Sequence, residues 1–134
     1  MRPLALALCA SLAGLSAAAQ PSATSDWSRA KVIEVDLSNY TINPAHLVLR
    51  HGVPYRLHFV DQSHGGHDFT AKDFFAQATL DPSTQAAVKD GAVRLSGGES
   101  ADVDLIAPAP GRFDAHCSHF AHATLGMKGQ IDVE

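Results

Sequence analysis

Apolar and polar residues alternate along most of the chain from Lys31 onward. Val32, Glu34 and Asp36 oppose Ile33, Val35 and Leu37. Leu47, Val48 and Leu49 lead into a run where Val53, Tyr55, Leu57 and Phe59 share one face and Arg56 and His58 take the other. Successive side chains of a strand point to opposite faces, so a period of two predicts half-buried antiparallel strands. Asn43-Pro44 and His51-Gly52 punctuate them as turns. The alternation resumes over Ala92–Leu95, then in Ala101, Val103 and Leu105 against Asp102 and Asp104. It continues in Phe113, Ala115 and Cys117 against Arg112, Asp114 and His116, and ends with Ile131 and Val133 facing inward. Gly97-Gly98-Glu99 and the rigid Ala107–Gly111 loop separate these runs. Short strands with frequent turns predict an all-β fold, a Greek-key β-sandwich.

Two stretches depart from that period. Residues 71–90 read as a short helical or loop insertion, with Phe74, Phe75 and Ala78 available to a core. Within it, Asp81-Pro82-Ser83 is a helix-start signal, with Gln85 placed for capping. Residues 1–19 join a positive start at Arg2, a short apolar run from Leu4 to Leu15 and the small residues Ala17-Ala18-Ala19. That is the pattern of a cleaved signal peptide, and its apolar run is too short to span a bilayer. Bulky Leu8 before Cys9 argues against a lipid anchor. The domain reading is a signal peptide over 1–19, a flexible polar arm over 20–30 and one domain over 31–134, in a periplasmic or otherwise exported protein. No later apolar run approaches membrane length.

Charge narrows the options. Ten Lys and Arg against fourteen Asp and Glu, with no basic run, exclude a phosphate-neutralising nucleic-acid binder. Cleavage would leave Cys117 as the one cysteine and Met127 as the one methionine, with all eight histidines retained. An unpaired thiol in an oxidising compartment is a liability unless it is buried, paired between chains or held by a metal.

Cys117, His122 and Met127 follow one another at Cys-x4-His-x4-Met spacing on a loop between two strands, and His67 lies upstream in Gly66-His67-Asp68-Phe69. Thiolate, two imidazoles and a weak thioether form the donor set of a copper electron-transfer site, because sulfur favours Cu(I) and imidazole supports Cu(II). Structural zinc sites usually present paired ligands such as Cys-x2-Cys, which this chain lacks. A Cys/His nucleophile would need an access cleft and an orienting group that nothing in the sequence marks. No Gly-x-Ser-x-Gly or phosphate-binding motif is present. The reading is therefore not an enzyme.

The segment Gly111-Arg112-Phe113-Asp114-Ala115-His116-Cys117, followed by His122-x3-Gly126-Met127-x-Gly129, resembles the C-terminal copper loop of the cupredoxins, the plastocyanin/azurin family. Its gaps are most similar to those of the auracyanin and rusticyanin branch. Upstream, Pro44-x2-Leu47-x-Leu49-x2-Gly52-x2-Tyr55-x-Leu57-x-Phe59 resembles the family's strand pair leading to its first histidine. The likeness runs from about residue 32 to the end. It implies one type 1 copper at one end of a sandwich, with His67, Cys117 and His122 in the trigonal plane and Met127 axial. It also implies electron transfer through His122, in a patch of Phe120, Ala121, Ala123 and Leu125 where redox proteins dock transiently on a monomer. Copper buffering, delivery or tolerance is the alternative function.

Asp68 stands where the family usually has Asn. An ionised Asp68 would accept from Ser118 and orient the cysteine loop. His64 competes with His67 for the upstream position, and His67 is favoured because it leads into an apolar strand. His116 alternates away from Cys117 and reads as a surface residue, as does His119, and neither has a fixed family role. His46, His51 and His58 read as surface polar residues, and Asp102 with Asp104 as a solvated strand face.

Overall fold

The computed structural model describes residues 26–134. The signal peptide read at 1–19 and the first part of the arm lie outside the described residues. The rest of the arm holds one 3-10 turn, Trp27–Arg29, whose start is capped by the Asp26 carboxylate accepting from the Ser28 N–H.

The strands are β1 (Lys31–Ser38), β2 (Thr41–Asn43), β3 (His46–Leu49), β4 (Pro54–Asp61), β5 (His67–Thr70), β6 (Thr79–Leu80), β7 (Val88–Lys89), β8 (Ala92–Leu95), β9 (Ser100–Ile106), β10 (Gly111–His116) and β11 (Lys128–Val133), with one short helix α1 (Lys72–Gln77). They form two sheets, ordered β2-β1-β4-β9-β6 and β3-β11-β10-β5-β8-β7. Two pairings are parallel, β1 with β4 and β3 with β11, where the alternation alone suggested antiparallel neighbours. The cause is the crossover. After the β1–β2 hairpin the chain passes to the other sheet as β3 and returns as β4 beside β1, and a return of that kind restores the direction of β1.

The alternation places the core as expected. Val35, Leu37, Leu49, Leu57, Phe59, Val103, Leu105 and Ile131 are fully buried between the sheets. Each contributes about 1.5–3 kcal/mol of apolar burial. The Phe69 ring lies 5.0 Å from that of Phe59, and Phe74 lies 5.6 Å from Phe113. No helix among the described residues is long and apolar enough to cross a membrane.

The insertion at 71–90 is a bridge between the sheets. Its helix is Lys72–Gln77, ahead of the Asp81 signal, and it buries Phe74 and Phe75. Asp81 instead organises a turn: its carboxylate accepts from the Ser83 N–H and hydroxyl, and only a single 3-10 turn, Gln85–Ala87, follows. β6 then adds to the edge of β9 in the first sheet and β7 to the edge of β8 in the second.

The same bridge corrects the reading of Asp104. The Asp104 N–H donates to Thr84 Oγ1 and its carbonyl accepts from the Asp81 N–H, so the segment lies over it and buries it. Its carboxylate is held by Arg56 in a bidentate pair at 2.7 and 2.8 Å. Asp102, two positions earlier, is exposed as expected and pairs with His58.

Candidate metal centre

The second sheet carries the site at one end. β5 departs from alternation, because all four of its residues are buried. His67 and Phe69 occupy one face, and Phe69 packs into the aromatic core. Asp68 and Thr70 occupy the other, under the chain that leaves β10.

That chain is the loop from Cys117 to Met127. Its ends are tied together: the Cys117 N–H donates to the Met127 carbonyl at 3.1 Å, and the Met127 N–H to the His122 carbonyl at 3.0 Å. The His122 N–H donates back to the His119 carbonyl at 3.2 Å. Gly126 takes a φ of +111°, a conformation that side chains disfavour, and turns the chain back into β11. The loop thus holds Cys117, His122 and Met127 on one short closed path.

Of the residues expected from the sequence, His67, Cys117 and His122 come together. Cys117 Sγ lies 3.9 Å from His67 Nδ1 and 3.5 Å from His122 Nδ1. Donors bound to one ion by bonds of about 2 Å lie about 3–4 Å apart, so these three atoms fit a shared ion. Met127 is fully buried at the loop's end. His64 is exposed in the bend before β5 and stands outside this cluster. His116 is exposed on β10, facing away from Cys117 as its phase predicts.

Asp68 does what its chemistry allowed. Its carboxylate accepts from the Ser118 N–H at 2.9 Å, the Ser118 hydroxyl at 2.6 Å and the Thr70 hydroxyl at 2.6 Å. Burial alone would raise its pKa, but the hydrogen bonds from Ser118 and Thr70 outweigh it and hold the carboxyl below its usual range. An ionised Asp68 therefore stitches β5 to the cysteine loop.

Two further contributors, Asn39 and Tyr40, carried no signal in the sequence, and a third, His119, was read as a surface residue. Asn39, in the β1–β2 turn, places Oδ1 2.8 Å from His67 Nε2. With a carbonyl oxygen as its partner, Nε2 carries the proton, and Nδ1 offers its lone pair toward Cys117. Tyr40 sets its ring edge-on to His122, with centroids 5.1 Å apart. His119 is exposed, as read, yet its ring nitrogen joins the cluster: the donors of His67, Cys117, His119 and His122 all lie within 4.8 Å of one another.

The electrostatics suit a cation. Burial pushes the Cys117 thiol up, the charges of Asp68 and Asp61 add to that, and backbone N–H groups of Asp68 and His119 oppose it. A thiol so placed ionises readily only beside a positive charge. Burial lowers the His67 pKa, as do His122 and His119, against the pull of Asp61 and Asp68, which favours the neutral imidazole a metal requires. Asp61 ends β4 buried on its inward face; Ser63 donates to its Oδ1, and its Oδ2 has no partner among the described residues.

No family model matches the sequence, and no curated protein does. Solved structures do. The chain is similar to auracyanin B, at 24% identity, covering 78% of this chain and 89% of that one with a TM-score of 0.56. It is similar to the dithionite-reduced auracyanin of Roseiflexus castenholzii, at 22% identity, covering 78% of this chain and 98% of that one with a TM-score of 0.58. It is also similar to the McoA multicopper oxidase of Aquifex aeolicus, at 15% identity and a TM-score of 0.61, covering 79% of this chain but 30% of that one. The fold is therefore the cupredoxin-like β-sandwich, at nearly the whole length of an auracyanin.

Proposed function

We propose that the domain over 31–134 binds one copper ion through His67, Cys117, His122 and Met127 and carries single electrons between redox proteins. The observation that supports this most directly is the approach of Cys117 Sγ to the ring nitrogens of His67 and His122, with Met127 buried on the same loop. Trigonal thiolate and imidazole donors with a weak thioether make a type 1 site, which when loaded exchanges one electron. The signal-peptide pattern over 1–19, ahead of the arm over 20–30, supports a periplasmic or otherwise exported location. Its similarity in fold to the auracyanins, one of whose members is described as a blue copper protein, agrees with this reading.

The chain's own part is to hold the donors still. Asn39 fixes the His67 ring, and Asp68 fixes the loop through Ser118. A rigid donor set lowers the reorganisation that accompanies electron transfer. On the loop around His122, Phe120 is 97% exposed and Leu125 57%, and the Tyr40 ring packs edge-on against His122. An exposed apolar patch of this kind suits the small, brief interfaces of redox encounters, so a monomer docking partners here is the expected working form. As a carrier it performs no substrate chemistry of its own.

The test is the visible absorption of copper-loaded protein beside Cys117→Ser. An intense thiolate-to-copper band, one ion per chain and a reversible redox wave are expected, with the band lost in the variant. A wild-type protein without that band would overturn the assignment. The exposed His119 within the cluster favours a second reading, copper handling. Loss of copper tolerance on deletion, with ready transfer of the ion to an acceptor, would select it over electron transfer.

A further inference from the structure

We propose that His119 is an additional metal ligand of this centre, a third imidazole that binds the divalent ion from the solvent side. The proposal rests on the copper reading above and goes beyond its four ligands.

The geometry singles the residue out. The three imidazole centroids are 5.0 Å (His67 to His122), 5.3 Å (His119 to His122) and 6.3 Å (His67 to His119) apart. The three rings share one neighbourhood with the Cys117 sulfur, because one donor atom from each of the four residues falls within 4.8 Å of all the others. The His119 side chain remains 44% exposed, whereas His67 is buried, so this ring meets solvent and site together. Its environment does not commit it elsewhere. Asp68 Oδ2 is 3.7 Å from its Nε2, beyond a hydrogen bond, and that carboxylate is already taken by Ser118 and Thr70.

The chemistry gives the ring a distinct effect. Sulfur donors favour Cu(I), and imidazole supports Cu(II). A third imidazole therefore tightens the divalent ion selectively. Its solvent exposure also gives an incoming ion a ligand to meet before the buried ones. When Cu(II) binds, each imidazole contributes a lone pair, and Cys117 releases its proton to solvent; the ion's oxidation state does not change.

The experiment titrates Cu(II) against a competing chelator in wild type, His119→Ala and His119→Phe, with and without added imidazole. Groups that only orient ligands cost about 10–100-fold in affinity when lost, so loss of a ligand should cost about tenfold or more in both variants. Free imidazole should restore affinity and the wild-type absorption to His119→Ala, where space is vacated, and not to His119→Phe, where the ring fills it. A packing role predicts the reverse, with phenylalanine restoring what alanine loses, and would overturn the proposal. Variants that match wild type in affinity and spectrum would overturn it alone, leaving the copper reading intact. A wild-type protein without a thiolate-to-copper band would remove both.

Discussion

The two sheets treat their polar residues in opposite ways. On the first, β4 and β9 pair side chains across their outer face: Arg56 with an Asp104 that residues 81–84 cover, and His58 with an exposed Asp102 at 2.6 Å. On the second, β5 turns His67 into the core and Asp68 to the opposite face, where the loop after β10 closes over it. The exposed pair of His58 and Asp102 contributes little to stability, because water competes for both partners. Buried polar groups cost desolvation, which Asp68 offsets through its bonds from Ser118 and Thr70. The contrast teaches where to look for function: polarity carried inside, at one end of one sheet, with its hydrogen bonds spent on orienting a cysteine and a histidine.

Substitutions can break or sharpen that contrast. The largest effect belongs to the core beneath both sheets: Phe59→Ala should cost about 3–5 kcal/mol in urea unfolding. Next comes the inward side. Asp68→Ala strands the Ser118 N–H and two hydroxyls and should cost about 1–3 kcal/mol. If it costs no more than an outward pair, the distinction between the sheets fails. Asp68→Asn keeps the shape and removes a negative charge, so the potential of the copper-loaded protein should rise; an unchanged or lower potential would count against an ionised Asp68. On the outward side, Asp104→Asn weakens a bidentate pair whose arginine still reaches water, and should cost about 1 kcal/mol in the same unfolding measurement. Asp102→Asn is the smallest, within about 0.5 kcal/mol and vanishing further with added salt.

Much of this was legible in the chain itself. The phases of β1, β4, β9 and β10 were readable because one face of each strand is apolar, and they placed Val35, Leu57, Val103 and Cys117 correctly. The bond from Ser118 to Asp68 was expected from the family resemblance, which marks position 68, together with the acceptor chemistry of a carboxylate. The misses share a cause, which is that alternation describes one strand and knows nothing of what lies over it. Asp104 sits on the outward phase of β9 and is nevertheless buried, because residues 81–84 cross above it. Asn39 and Tyr40 reach the site from a hairpin far away in sequence, and no local pattern marks such an approach. His119 follows the end of β10, where strand phase no longer applies and only the loop's three-dimensional path decides which rings meet.

His67 and Cys117 stand fifty positions apart, one on β5 and the other past the end of β10. Neither half of the chain can grip an ion as the whole does, so the centre matures only after β5 and β10 have paired within the second sheet. Occupancy and folding are thereby linked: an ion that binds only the native chain stabilises it by about 2.7 kcal/mol when free at about a hundred times its dissociation constant. The unfilled protein should be the form that proteases find, and loading would act as quality control as well as activation.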